Sequence, residues 1–253
     1  MDFWTIALLF AGGILAGGVS AVAGGASFIT FPLVLATGLS PFAAGITNYI
    51  ALAPANLIAL IGYREELARV RHKLPVPMVV SAVGGLIGSL LLIWSGAEIF
   101  ARLVPWLLFA ATALFALGSW IKAKLRNRAP LAGPGWESVS LFCQFLLALY
   151  GGYFGAGMGF VLLACLNIFG YDNLHEANTV KNAFICVFSV IGIVILLTSG
   201  QMSWAHGLPI GIGTIVGAYG AVRFVRTLPE AAVRYSILAW AAFLTLYYFL
   251  EAA

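Results

Sequence analysis

Apolar runs of roughly 20 residues recur along almost the whole chain, and this feature limits the possible folds more than any other. A helix of that length spans the hydrocarbon core of a bilayer, which is about 30 Å thick. Of the 253 residues, 62% are apolar and only 9% are charged. A soluble domain of this length needs more charge to cover its surface. The sequence therefore predicts an all-α, multi-pass membrane protein whose solvent is the lipid bilayer.

Two of the apolar segments are too long for one straight helix. They lie near residues 3–38 and 137–170, and glycines interrupt them at AVAGGAS (21–27) and GAGMG (155–159). Since glycine lacks a Cβ atom, we expect turns joining short helices at both places. The remaining segments have the length of single spans: 42–62, 75–94, 99–121, 174–198, 204–222 and 231–250.

The two halves of the chain resemble each other. Three landmarks align in the same order: Gly25 with Gly157, Phe28 with Phe160, and Thr47-Asn48 with Lys181-Asn182. This pattern predicts two transmembrane repeats, residues 1–121 and 137–253. The polar stretch 122–136 between them is expected to be a cytoplasmic linker.

The basic loop residues predict how the repeats are oriented. If each glycine interruption is the tip of a hairpin, Arg102 is alone on one side of the membrane. Eleven basic residues then share the other side: Arg64, Arg69, Arg71, Lys73, Lys122, Lys124, Arg126, Arg128, Arg223, Arg226 and Arg234. With uninterrupted spans the same charges would split eight to four. Because basic loops concentrate in the cytoplasm, we expect inverted repeats, each a glycine-broken helical hairpin followed by three transmembrane helices, with both termini outside.

The two glycine tips, near residues 24–27 and 156–159, are the first candidate site. Irregular backbone inside a membrane is tolerated only where it is buried in protein or lines a cavity. Each tip leads into a short helix, whose free N–H groups and dipole would favour an anion. Close helix packing is the alternative explanation for these glycines.

Lys181 is the second candidate, because it precedes a long apolar run. Burying an ammonium group costs at least ~2.5 kcal/mol, so such a group usually faces a cavity or a partner. We expect it to supply positive charge to an anionic substrate, together with Asn182 and with Thr47-Asn48 of the other half. Snorkelling to the interface, or pairing with Asp172 or Glu176, is the alternative for the lysine, and interhelical hydrogen bonding is the alternative for the asparagines.

Coupling to a proton would need a group that titrates near neutrality, which imidazole does. The candidates are His175, its neighbour Glu176, and His206, each of which also suits a structural or interfacial role. The cysteines form no metal-binding pattern, and no metal, cofactor or nucleic acid is expected. The chain also lacks the motifs of an intramembrane hydrolase, so we expect no enzyme.

Several strings resemble the sulfite exporter TauE/SafE family of membrane permeases: AGGASFITFPLVLATGLSPFAA with the following TN, GYREEL, YGGYFGAGMGF and HEANTVKN. The resemblance covers essentially the whole chain. It implies a prokaryotic inner-membrane transporter of small sulfur-containing or organic anions. By position it assigns the substrate site to Gly24, Gly25, Ala26, Ser27, Thr47, Asn48, Gly157, Met158, Gly159, Lys181 and Asn182.

The sequence thus predicts a secondary transporter, an exporter of sulfite, thiosulfate, a sulfonate or a small carboxylate, that works by alternating access. An anion channel is the alternative, and an intramembrane enzyme is a weaker one. A homo-oligomer is compatible with everything in the sequence.

Overall fold

A computed structural model describes residues 1–22, 24–125, 134–171 and 173–224, together with Ala239, Ala242, Phe243 and Leu246. Nine α-helices lie in the described ranges: α1 Phe3–Val22, α2 Ser27–Leu35, α3 Pro41–Gly62, α4 Arg64–Val70, α5 Pro75–Leu125, α6 Pro134–Tyr153, α7 Met158–Ile168, α8 Leu174–Leu197 and α9 Trp204–Phe224. A short 3-10 turn, Arg71–Lys73, joins α4 to α5. The predicted span 231–250 and the loop at 225–230 lie outside the continuously described residues.

The all-α, multi-pass membrane architecture is confirmed. Among the described residues, four helical stretches are long and apolar enough to cross a membrane: Phe3–Ala21, Pro41–Gly62, Pro75–Ala113 and His175–Leu197. Helix α5 contains a break at Gly96, whose φ of 68° and ψ of −179° are not helical. The break divides α5 into an N-terminal arm, 75–95, and a C-terminal arm, 97–125, which match two separately predicted spans.

Local signals explain where several helices begin. Pro41 opens α3, and the preceding Ser40 side chain accepts a hydrogen bond from the Ala43 N–H (3.4 Å). Asn173 caps α8 by accepting from the N–H groups of His175 (2.9 Å) and Glu176 (3.3 Å). Proline also opens α6, since a first-turn residue needs no N–H. The predicted linker 122–136 is therefore helical at both ends, and residues 126–133 lie outside the described part.

Both glycine-broken segments consist of a long helix followed by a short one. Helices α2 and α7 have nine and eleven residues, or about 13 and 16 Å at 1.5 Å per residue, too short to cross a bilayer. Helix α2 runs back along α1. This course is shown by Leu33, whose side chain fills the space that a Cβ on Gly12 would occupy.

The expected turns lie slightly nearer the N-terminus than the sequence indicated. Ser27, Met158 and Gly159 were expected in turns but belong to the first turns of α2 and α7. The non-helical backbone is confined to the residues around the positive-φ glycines, Gly24 and Gly25 in one tip and Gly155 and Gly157 in the other. Once the chain has passed these glycines, nothing prevents regular helix.

Helices α1, α3 and α9 form one parallel set. A Cβ on Gly13 would lie 3.2 Å from the Gly213 Cα, and one on Gly18 would lie 3.7 Å from the Gly217 carbonyl oxygen, so α1 and α9 run in the same direction. Thr214 of α9 donates to the Ala51 carbonyl of α3 (3.2 Å). Glycines allow this close approach of helix backbones, as is common in membranes.

The N-terminal arm of α5 forms a second parallel set with α6 and α8. Gln144 of α6 donates to the Ser81 hydroxyl (2.7 Å), and Ser89 donates to the Gly152 carbonyl (3.3 Å). A Cβ on Gly85 would lie 2.9 Å from the Phe188 Cα of α8. Each set thus contains the first and second long helices of one half and the third long helix of the other half.

The two sets run antiparallel. Tyr63, just after α3, has its ring 6.1 Å from that of His175 at the start of α8. Farther along, the Tyr49 hydroxyl donates to the Phe188 carbonyl (3.2 Å). The C-terminal end of α3 thus lies beside the N-terminal end of α8, and earlier residues of α3 contact later residues of α8. We call the end of the molecule that holds Tyr63 and the basic segment Arg64–Lys73 the basic end.

Candidate functional site

The two glycine tips meet. A Cβ on Gly24 would lie 2.6 Å from the Gly159 Cα, so only hydrogen fits between the two backbones. The aligned phenylalanines are exchanged between the halves. A Cβ on Gly25 would lie 2.7 Å from the Phe160 ring, and one on Gly157 would lie 3.0 Å from the Phe28 ring. Gly157 therefore serves close packing, which is the alternative explanation given above for these glycines.

A cavity of about 70 Å³ lies beside this junction. The predicted residues Gly24, Gly25, Ala26, Ser27, Met158 and Gly159 line it, and Gly157 does not. None of the described lining residues carries a formal charge. The N-termini of α2 and α7 thus approach one small uncharged cavity from opposite halves.

Backbone donors are available at the tips. The Gly24 N–H donates to the Val19 carbonyl (2.9 Å), whereas the N–H groups of Gly25, Ala26 and Ser27 donate to no backbone acceptor among the described residues. The Gly159 N–H in the first turn of α7 is likewise without a described backbone acceptor. Free first-turn N–H groups at the positive end of a helix dipole suit an anion.

The cavity also has four polar lining side chains that the sequence prediction missed: Ser20, Tyr49, Asn56 and Ser189. Ser20 donates to the Asn56 carbonyl oxygen (3.3 Å), and Asn56 donates to the Leu52 carbonyl (3.4 Å). One signal was present in the sequence: Tyr49 and Asn56 are seven residues apart, and so on one face of an apolar helix.

Thr47 and Asn48 are fully engaged in packing. The Thr47 hydroxyl accepts from the Ser203 N–H (3.0 Å), which fixes the start of α9. The Asn48 carbonyl oxygen accepts from the Thr30 hydroxyl of α2. Both residues are buried and neither lines the cavity.

Lys181 lies behind the cavity wall. Its Nζ donates to the carbonyl oxygen of Ser20 (3.0 Å), and the residue is 0% exposed, which excludes snorkelling. Among the described residues, no carboxylate lies within 4.0 Å of the Nζ, so pairing with Glu176 is also excluded. Asp172 lies outside the described residues. The neighbouring Asn182 is buried and does not line the cavity, and neither of its side-chain polar atoms has a hydrogen-bond partner among the residues that the structure describes.

The residues considered for proton coupling lie apart from the cavity, and His206 lies far from the other two. His175 and Glu176 are at the basic end, in the first turn of α8. His206, in the first turn of α9, contacts the Ser203 hydroxyl through Nδ1 (2.6 Å). Since Ser203 also contacts Thr47, His206 belongs to the opposite end of the bundle.

Known proteins that resemble the chain are named as probable membrane transporters. Relatives named "Probable membrane transporter protein" include one from Haemophilus influenzae, 26% identical over 90% of this chain and 88% of the relative. Another is YfcA from Escherichia coli K12, 26% identical over 90% and 84%, and a third is ORF9 from a Sinorhizobium species, 27% identical over 88% and 84%. No solved structure gives a significant match.

The family comparison agrees with the architecture and with these relatives. The chain is a membrane transporter and not an enzyme. The model of one family matches residues 9–248, nearly the whole chain. The protein belongs to the sulfite exporter TauE/SafE family.

Proposed function

We propose that the protein is a secondary transporter that exports a small oxyanion across a prokaryotic inner membrane by alternating access. The observation that carries the proposal is the convergence of two helix N-termini, from opposite halves of a transporter, on one cavity. Each N-terminus is equivalent to roughly half a positive charge, and the two would act on the same ligand.

The size of the cavity supports a substrate of few heavy atoms. Its volume of about 70 Å³ is well below the roughly 300–1,000 Å³ typical of sites for drug-sized ligands. Sulfite, thiosulfate, small sulfonates and small carboxylates are all much smaller than drug-sized ligands. They share an oxyanion group that backbone N–H groups at the glycine tips would bind.

Inverted repeats are the second part of the proposal. The antiparallel course of α3 and α8, which are matched by sequence, supports it. The exchange of Phe28 and Phe160 between the two tips supports it as well. Alternating access would then be a movement of one helix set against the other around the cavity.

Flux measurements in proteoliposomes test the transport proposal. Labelled sulfite should enter with saturable kinetics and show counterflow when the vesicles are preloaded with unlabelled sulfite. A channel would instead give current without counterflow. Absence of saturable flux for sulfite, thiosulfate, sulfoacetate and acetate in folded protein would refute the proposal.

A matched pair of alanine substitutions tests the glycine junction. Gly24→Ala and Gly38→Ala both introduce a side chain at a positive φ, 91° and 89°, a strain of about 1–2 kcal/mol. Only Gly24→Ala also places a Cβ 2.6 Å from the opposite tip, whereas nothing lies within 4 Å at Gly38. We expect flux to fall by at least about tenfold in Gly24→Ala, with Gly38→Ala close to wild type. Equal losses would show that the junction itself is unimportant.

A further inference from the structure

One face of α8 continues from the cavity towards the basic end. Ile185 and Ser189 line the cavity. Asn182 and Asn178 share their helix face, because spacings of three, four and seven residues return to one side of an α-helix. Following the face from Ser189 to Asn178 leads towards the start of α8, where His175 lies beside Tyr63.

The two asparagines on this face are buried and have unpaired polar atoms. Asn178 is 2% exposed and Asn182 is 0% exposed. Within the described part of the chain, the Asn178 Oδ1 and both the Oδ1 and Nδ2 of Asn182 have no hydrogen-bond partner. Leaving a buried polar atom unsatisfied is unfavourable, so three of them on one stripe need an explanation.

Lys181 places donors next to this stripe. Its Nζ uses one N–H for the Ser20 carbonyl, and a lysine ammonium has two more. In its protonated form the amine would repel a metal cation. A small anion fits the set better, since the ammonium group and the Asn182 amide both offer hydrogen-bond donors to it.

We propose that Asn178, Lys181 and Asn182 form a second anion-binding station between the cavity and the basic end, closed in this conformation. The station rests on the proposed transport function, and an exported oxyanion entering from the basic end would occupy it before reaching the cavity. Ser20 separates the two stations. Its hydroxyl faces Asn56 at the cavity, while its carbonyl is held by Lys181.

Passage between the stations requires the end of α1 to separate from α8. That movement breaks the contact of Lys181 with Ser20 and frees a third N–H for the anion. It also admits water to the asparagine stripe, which accounts for polar atoms that are unpaired only while the route is closed.

Cysteine labelling tests the station without knowledge of the substrate. Asn182→Cys and Asn178→Cys are made in a chain whose native cysteines are replaced by alanine, and are reconstituted in proteoliposomes. Two thiosulfonate reagents of similar size are compared, one ending in a sulfonate and one in a quaternary ammonium. The anionic reagent should modify both positions at least about tenfold faster than the cationic one, and Lys181→Gln should abolish this preference.

A matched control comes from the same helix. Ala183→Cys is equally buried but belongs to the apolar cluster on another face of α8. It should remain unmodified. Equal reactivity at Asn182→Cys and Ala183→Cys, or labelling without preference for the anion, would overturn the station. Anion-selective labelling without flux of the tested anions would instead count against the transport proposal and leave the station standing.

Discussion

Thr47-Asn48 and Lys181-Asn182 align with each other in the sequences of the two halves. Their hydrogen-bond partners in the structure nevertheless differ. In the first pair the Thr47 hydroxyl and the Asn48 carbonyl oxygen have partners within the fold. In the second pair Lys181 donates to a single backbone carbonyl, and the side-chain amide of Asn182 has no partner in the described part of the chain. The two aligned pairs therefore differ in their hydrogen bonding.

One residue of the short helices explains part of the difference. Thr30 lies five residues after Gly25 and donates to Asn48. Five residues after Gly157 the chain has Leu162, which is buried in an apolar cluster and has no hydroxyl to offer Asn182. The first half thus fixes its short helix to α3, while the second half leaves the matching amide of α8 available for a ligand or water.

The largest expected effect concerns charge. Lys181→Met should lower the affinity for the transported anion by about one to two orders of magnitude, because it removes a charge-assisted contact of roughly 1.5–3 kcal/mol. Thr47→Val, at the matching position, should leave anion affinity nearly unchanged. Anion-induced thermal shifts of the purified variants measure both. Equal losses of affinity would mean that the two pairs do not differ in function.

A smaller effect separates the asparagines. Asn48→Leu should destabilise the protein by about 1 kcal/mol, a typical value for a side-chain hydrogen bond within a membrane protein. Asn182→Leu should be neutral or stabilising, because no hydrogen bond is lost and unsatisfied polar atoms are removed. Denaturation in detergent gives the two stabilities. A destabilised Asn182→Leu protein would reveal a partner for the amide and would break the contrast.

The smallest effect would come from making the halves more alike. Leu162→Thr introduces a hydroxyl where the first half has Thr30. If it reaches Asn182, that hydrogen bond should contribute about 0.6 kcal/mol, set against the lost burial of the leucine. A double-mutant cycle of Leu162→Thr with Asn182→Leu measures the coupling energy between the two positions. A coupling energy of zero would show that Leu162 does not face the amide.

The sequence predicted most of the architecture because membranes restrict the choices severely. Apolar length gave the spans 42–62, 75–94 and 174–198 to within a residue or two of α3, the N-terminal arm of α5, and α8. Glycine interruptions gave both hairpins, since only glycine tolerates the positive φ observed at Gly24 and Gly157. The first turns at Ser27 and Met158 were misplaced, because helix propensity does not show where a tip ends.

Some residues of the candidate site could likewise be predicted from the sequence, and others could not. The tip residues could be found because their backbone conformation is encoded locally. Ser20, Tyr49 and Ser189 come from three different helices, and only packing brings them to one cavity. The partner of Lys181 is a backbone carbonyl 161 residues away, which no side-chain pattern encodes.

The sequence by itself determined that the chain spans a membrane, where its backbone must break, and which family it resembles. These features follow from local quantities: apolar length, the absent Cβ of glycine and recurring strings of residues. Only the tertiary structure decided that the two tips meet, that α2 and α7 have only nine and eleven residues, and that the aligned pairs differ. Those outcomes depend on contacts between distant helices, where the replacement of Thr30 by Leu162 at the corresponding position changes which polar atoms find partners.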